Sequence, residues 1–254
     1  MKQRITITIL CILFYVQIEA QINIEKFNNL ADNIGSSGKV SVYLSAKTGN
    51  TDIQQFGADG RLNYSGQNYS TFLVGKGEYG WNKGKEFSNN ALLHLRYIRK
   101  DYTMLSTEVF GQINYNKKRL LLFRSLLGGG VRIILTKDSL KSFVFGTSYM
   151  FEHEKLELDN NSQHSNLTNH HRWNNYLSFS NNFSKNARIS IVVYAQPRFS
   201  DFKDIRLLSE NHLGVVLTEK LSLSINFALM YDSRPPDGIK NLDTNSKLGF
   251  TIKL

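Results

Sequence analysis

Hydrophobic and polar residues alternate along most of this chain. From Leu221 the odd positions are Leu221, Leu223, Ile225, Phe227, Leu229 and Tyr231, and the even ones are Ser222, Ser224, Asn226, Ala228, Met230 and Asp232. Successive side chains of a strand point to opposite faces, so this spacing gives one apolar and one polar face. The final segment repeats it, with Leu242, Leu248, Phe250, Ile252 and Leu254 against Asp243, Asn245, Lys247, Gly249, Thr251 and Lys253. Val40, Val42, Leu44 and Ala46 alternate with polar residues, as do Phe56, Ala58, Leu62 and Tyr64. The rule predicts twelve strands, over 39–48, 53–64, 69–80, 89–99, 102–116, 126–135, 140–154, 171–183, 187–196, 204–217, 221–232 and 242–254.

Soluble strands are usually about five or six residues long, whereas about 9–11 are needed to cross a bilayer at a tilt. The connections point the same way. Five are short, such as Ser65–Asn68 and Lys100–Asp101, and they alternate with longer ones at Trp81–Ser88, Lys117–Ser125, Lys155–His170, Pro197–Lys203 and Ser233–Asn241. Only Gly49–Asp52 on the long side is tight. Short turns at one rim, loops at the other and an even strand count predict an all-β, transmembrane, up-and-down antiparallel barrel of about twelve strands. A soluble sandwich or lipocalin-like barrel also alternates, but it does not call for long strands with aromatic ends such as Tyr64, Tyr69, Tyr79, Trp81, Tyr97 and Tyr115.

The N-terminus adds a compartment. Lys2 and Arg4 precede an apolar run from Ile5 to Val16, and Ala20 offers a small residue for cleavage. The expectation is a cleaved signal peptide at 1–20, a periplasmic segment at 21–37 and a barrel at 38–254, placed in the bacterial outer membrane after export. Phe27, Leu30, Ala31 and Ile34 recur at helical spacing within that segment. The single cysteine, Cys11, leaves with the signal peptide, so disulfides and thiolate chemistry are not expected.

Two terminal motifs carry a resemblance. Gly49-Asn50-Thr51-Asp52 closes the first hairpin, and Tyr231-Asp232-Ser233-Arg234-Pro235-Pro236-Asp237-Gly238 leads to Asp243-Thr244 and the last strand. With the strand pattern between them, roughly Gly38 to Leu254 resembles the salt-induced outer-membrane protein family, a β-barrel domain of unknown function. The resemblance implies an outer-membrane barrel, a stress-related envelope role and no particular reaction. Its terminal strand also resembles the signal read by the barrel-assembly machinery, an expected partner during biogenesis.

Charge refines the chemistry. The formal net charge is +10 from 31 basic and 21 acidic residues. The polar faces of the strands place Asp59, Arg61, Glu78, Arg96, Asp232 and Asp243 in a candidate lumen network, joined by His94, Glu108, Arg132, Glu152, Arg172, Arg188, Arg206, Glu210 and His212. Such a set interlocks and fills the interior or leaves a thin aqueous path, which a basic excess would bias toward anions. Lys117, Lys118, Arg119 and Arg124 lie in a long connection and are candidate contacts for anionic outer-membrane lipids and lipopolysaccharide. No nucleic-acid stripe is present.

Catalytic signatures are missing. No G-x-S-x-G elbow, H-E-x-x-H pair or phosphate loop occurs, and Gly128-Gly129-Gly130 falls inside a strand. His170 and His171, being adjacent on a strand, point to opposite faces. No catalytic, cofactor or metal residue is expected. The reading is a non-enzymatic envelope component or narrow channel of undefined activity, with an outer-membrane lipid-modifying hydrolase as the alternative.

Overall fold

The computed structural model describes residues 34–47, 52–138, 140–219 and 221–252. The expected signal peptide at 1–20 and most of the expected periplasmic segment at 21–37 lie outside these residues. Twelve strands are described: β1 Gly35–Lys47, β2 Ile53–Ser65, β3 Tyr69–Asn82, β4 Lys85–Lys100, β5 Leu105–Asn116, β6 Leu121–Lys137, β7 Lys141–Leu156, β8 Leu167–Ser184, β9 Ala187–Arg198, β10 Asp201–Val216, β11 Leu221–Asp232 and β12 Leu242–Ile252. They form one sheet in sequence order, and each consecutive pair is antiparallel. This is an up-and-down meander with local connections only.

Most strands run longer than the alternation predicts, although β5 starts at Leu105 and not at 102, because Tyr102 N–H bonds the Leu105 carbonyl in a turn. β1 begins at Gly35, inside the segment expected to precede the barrel, and β6 reaches back to Leu121. Three of the five longer connections shrink as a result. Trp81–Ser88 becomes a turn at Lys83-Gly84, where both residues have positive φ of 50° and 74°. Pro197–Lys203 contracts to the two residues between β9 and β10, and Lys117–Ser125 to a single 3-10 turn, Lys117–Arg119, ended by Leu120 at φ 56°. Past the apolar band a strand has no apolar face to alternate, yet its backbone pairing continues, so the hydrophobic pattern stops before the ladder does. Two long connections remain, after β7 and after β11, both on the rim opposite the chain ends.

The sheet is rolled. β5 and β8 are three strands apart, about 14 Å in a flat sheet. Nevertheless Tyr176 Oη on β8 donates to Glu108 Oε2 on β5 at 3.0 Å. Arg119, in the 3-10 turn after β5, reaches Asp243 on β12 at 2.5 Å. The two edge strands, β1 and β12, do not pair among the described residues, so the expected closing ladder is not seen. Unpaired edge groups are solvated in water, and only hydrocarbon makes them costly enough to force the seam shut.

Inside and outside are inverted relative to a water-soluble domain. Leu44 is 79% exposed, Leu62 59% and Leu127 64%, with Leu95, Val109, Leu177, Val193, Ile225 and Leu248 completing an apolar belt around the outer face. The buried set is rich in arginines and carboxylates. Inward positions are not uniformly polar, however. Val144, Tyr176, Val192, Tyr194, Leu208 and Met230 cluster inside the roll, as do Phe72, Val74, Leu92 and Ile98. Gly146 is bare because the Tyr176 ring lies against it, and Gly128 because Phe110 does.

Candidate functional site

Alternation aims every second side chain of each strand into the roll, and in its long-loop half many of those side chains are charged. Glu152 on β7 is 0% exposed. Its carboxylate meets three guanidiniums: Arg124 on β6, Arg172 on β8 at 3.3 Å and Arg206 on β10 at 2.7 Å. Arg206 continues to Glu154 at 3.0 Å and to Asp232 at 2.8 Å. Arg172 continues to Asp204 at 3.0 Å, which also holds Arg198 at 3.3 Å. Six strands, β6 to β11, are thereby tied across the interior. One layer toward the short turns, Arg96 pairs with Glu108 at 3.0 Å and lies over the Phe110 ring, its carbon 4.8 Å from the centroid.

A guanidinium is a permanently charged group with five donors in a fixed fork. A network built on such groups orients and braces. Between Arg119, Arg124, Glu154, Arg206 and Asp232 the free space is about 20 Å³, room for about one water.

The predicted network residues fall into separate groups. Arg61 donates to Asn63 and lies over the Phe72 ring. Glu78 accepts from Ser88 at 2.5 Å. Asp59 is half-buried opposite Lys76 in the ladder. Arg96 belongs with Glu108, Asp232 with Arg206 and Asp243 with Arg119.

The four basic residues assigned to one loop divide. Arg124 is a correction: it is 4% exposed and points into the roll from β6, with no access to lipid. Its parity with Leu126, Gly128 and Arg132 was the available signal, hidden because the strand starts five residues earlier than the apolar pattern. Arg119 is also turned inward, onto Asp243. Burial pulls its guanidinium down, and the Asp243 charge opposes that. Lys117 is exposed and pairs with Glu86 at 2.9 Å, which pushes its ammonium up. Lys118 sits over Phe87, 5.0 Å from the ring centroid, and burial pushes it down. Asp204 and Glu154 were missed. Asp204 opens the strand expected at 204–217 and, two residues from Arg206, shares its inward face.

On the outer surface His171 bonds the Tyr149 hydroxyl and stacks on its ring at 5.8 Å, while His170 faces inward and is half-buried.

Residues 40–254 match a family described as "Protein of unknown function, DUF481". The chain belongs to this family. The description carries the unknown-function part of the resemblance seen in the terminal motifs and does not carry the salt-induced name. No curated protein matches the chain. One solved structure, titled "NanC porin structure in rhombohedral crystal form", is similar with 14% identity and a TM-score of 0.47, over 85% of this chain and 99% of that one. At that TM-score the likeness has no weight for function.

Proposed function

We propose that this DUF481 chain is a bacterial outer-membrane β-barrel, exported by its signal peptide. Its long-loop half is closed by arginine–carboxylate bridges, making it a non-enzymatic envelope component with at most a water-wide ion path. The observation that carries this reading is the inversion of the sheet, with an exposed apolar belt outside and buried charge within. Water would expel such a belt, whereas acyl chains solvate it.

Aromatic spacing supports the same reading. Tyr64, Tyr69 and Tyr97 pack in a row at the short-turn end, and Tyr79 packs on Trp81 at the other. Tyr69 and Tyr79 are ten steps apart on β3, about 33 Å along a strand and about 25 Å of height at the usual tilt. That is the thickness of a barrel's apolar band. In this setting β12 closes on β1, outer-membrane lipids and lipopolysaccharide are the surrounding partners, and the barrel-assembly machinery is the partner during insertion.

The test is refolding of residues 21–254 into phospholipid vesicles, followed by planar-bilayer recording and a phospholipid and lipopolysaccharide hydrolysis assay. The expected result is a heat-modifiable, membrane-inserted species without large conductance steps and without product release. A soluble monomer that needs no detergent would overturn the membrane reading. Large steady conductance would overturn the closed lumen, and released fatty acid would replace the non-enzymatic assignment.

A further inference from the structure

We propose that the cavity at the short-turn end of the roll binds a small water-soluble polyanion bearing phosphate or carboxylate groups. This cavity measures about 580 Å³ and is walled by strands from β3 to β9 and by the turns after β4 and β6. Small-molecule sites usually span about 300–1,000 Å³. Five cations converge on it from four strands: Lys100, Arg132, Lys137, Lys141 and Arg188. Apolar side chains of Ile98, Ile134 and Val144 line the same space, giving a carbon skeleton somewhere to rest.

Two carboxylates also reach the lining, and both are already engaged by their own turns. Asp138 Oδ1 accepts the backbone N–H groups of Leu140 and Lys141, each at 2.8 Å. Asp101 Oδ2 accepts the N–H and hydroxyl of Thr107 at 3.0 and 2.8 Å, and its Oδ1 holds Arg99 at 3.0 Å. Arg188 has a buried Nη2 that meets no acceptor among the described residues. A buried guanidinium donor without an acceptor is costly, and a planar fork is suited to a carboxylate or phosphate oxygen pair. The contrast lies within one molecule. In the long-loop half Arg119, Arg124, Arg172 and Arg206 each meet a carboxylate of another strand, whereas here the Arg188 Nη2 meets none among the described residues.

The inference needs the cavity alone and holds whether or not the barrel conducts. Detergent-folded full-length barrel, checked for heat-modifiability, is titrated calorimetrically with pyrophosphate and with citrate at low salt, and short-chain phosphatidate is added as a competitor. The expected result is one saturable site that weakens as salt is raised. Arg188→Gln, and separately the pair Lys100→Gln/Lys141→Gln, should each weaken it about tenfold or more. Lys117→Gln/Lys118→Gln, at the opposite rim, should bind as the unmodified chain does. Lys100 and Lys141 are exposed, so their replacement keeps the test decisive even if Arg188→Gln fails to fold. No saturable binding of either anion, or unchanged affinity in the double lysine variant, would overturn the proposal. Displacement by phosphatidate in preference to free anion would overturn its water-soluble assignment.

Discussion

Replacing Glu152 by Gln removes the one negative charge shared by three guanidiniums while keeping the side chain's shape. At an effective dielectric near 20 a unit-charge pair about 4 Å apart is worth about 4 kcal/mol, so three partners give about 12 kcal/mol of gross attraction. Desolvation of the carboxylate takes back several kcal/mol, and after the change Arg124, Arg172 and Arg206 repel one another across the vacated site. Their remaining partners, Glu154, Asp204 and Asp232, limit the damage. The expected loss is about 3–5 kcal/mol, as for breaking a buried pair from one side. Urea unfolding of the barrel in lipid vesicles, followed through Trp81 and Trp173 fluorescence with an unchanged m-value, measures it. A loss below about 1 kcal/mol for Glu152→Gln would mean that water screens the interior, and the bridged-lumen argument would fail.

Gly146→Ala would press a methyl group into the Tyr176 ring, which is pinned by Glu108, so a cost of about 1–3 kcal/mol is expected in the same unfolding assay, and a neutral result would show the ring to be free. Ile225→Arg, on the outer belt, should cost about 2–4 kcal/mol at the bilayer midplane while Ser224→Arg, on the inner face, is tolerated better; equal costs in vesicle refolding would indicate two buried faces. The backbone N–H groups of Lys141 and Leu140 hold the Asp138 carboxyl below its ordinary value. A depressed carboxyl contributes stability above its unfolded value and loses it as pH falls through the folded one. Protease cutting at the β6–β7 turn should therefore rise on acidification below about pH 4, and Asp138→Asn should abolish that pH dependence. Deleting Ile252 to Leu254 should block insertion without blocking export, because the proposed signal peptide is at the other end; normal amounts of heat-modifiable protein in the outer-membrane fraction would refute the proposed closing role of β12.

The number and order of strands were legible in the sequence, because a period of two is a local property and each hairpin needs only its own turn. So was the direction of most side chains. Arg61, Glu78, Arg96, Glu108, Glu152, Arg172 and Arg206 were placed on inward faces by parity alone, and all are buried. What parity cannot reach is distance across the roll. Glu152 is joined to Arg206 three strands away, and Arg119 to Asp243 seven strands away, because curvature brings them together. The same curvature decided that Arg124 is a strut and not a lipid contact, and it gathered Arg188, Lys100 and Lys141 from three strands around one cavity. Alternation records which way a side chain points, whereas the closeness of charges from distant strands follows from the roll of the whole sheet, which no segment encodes by itself.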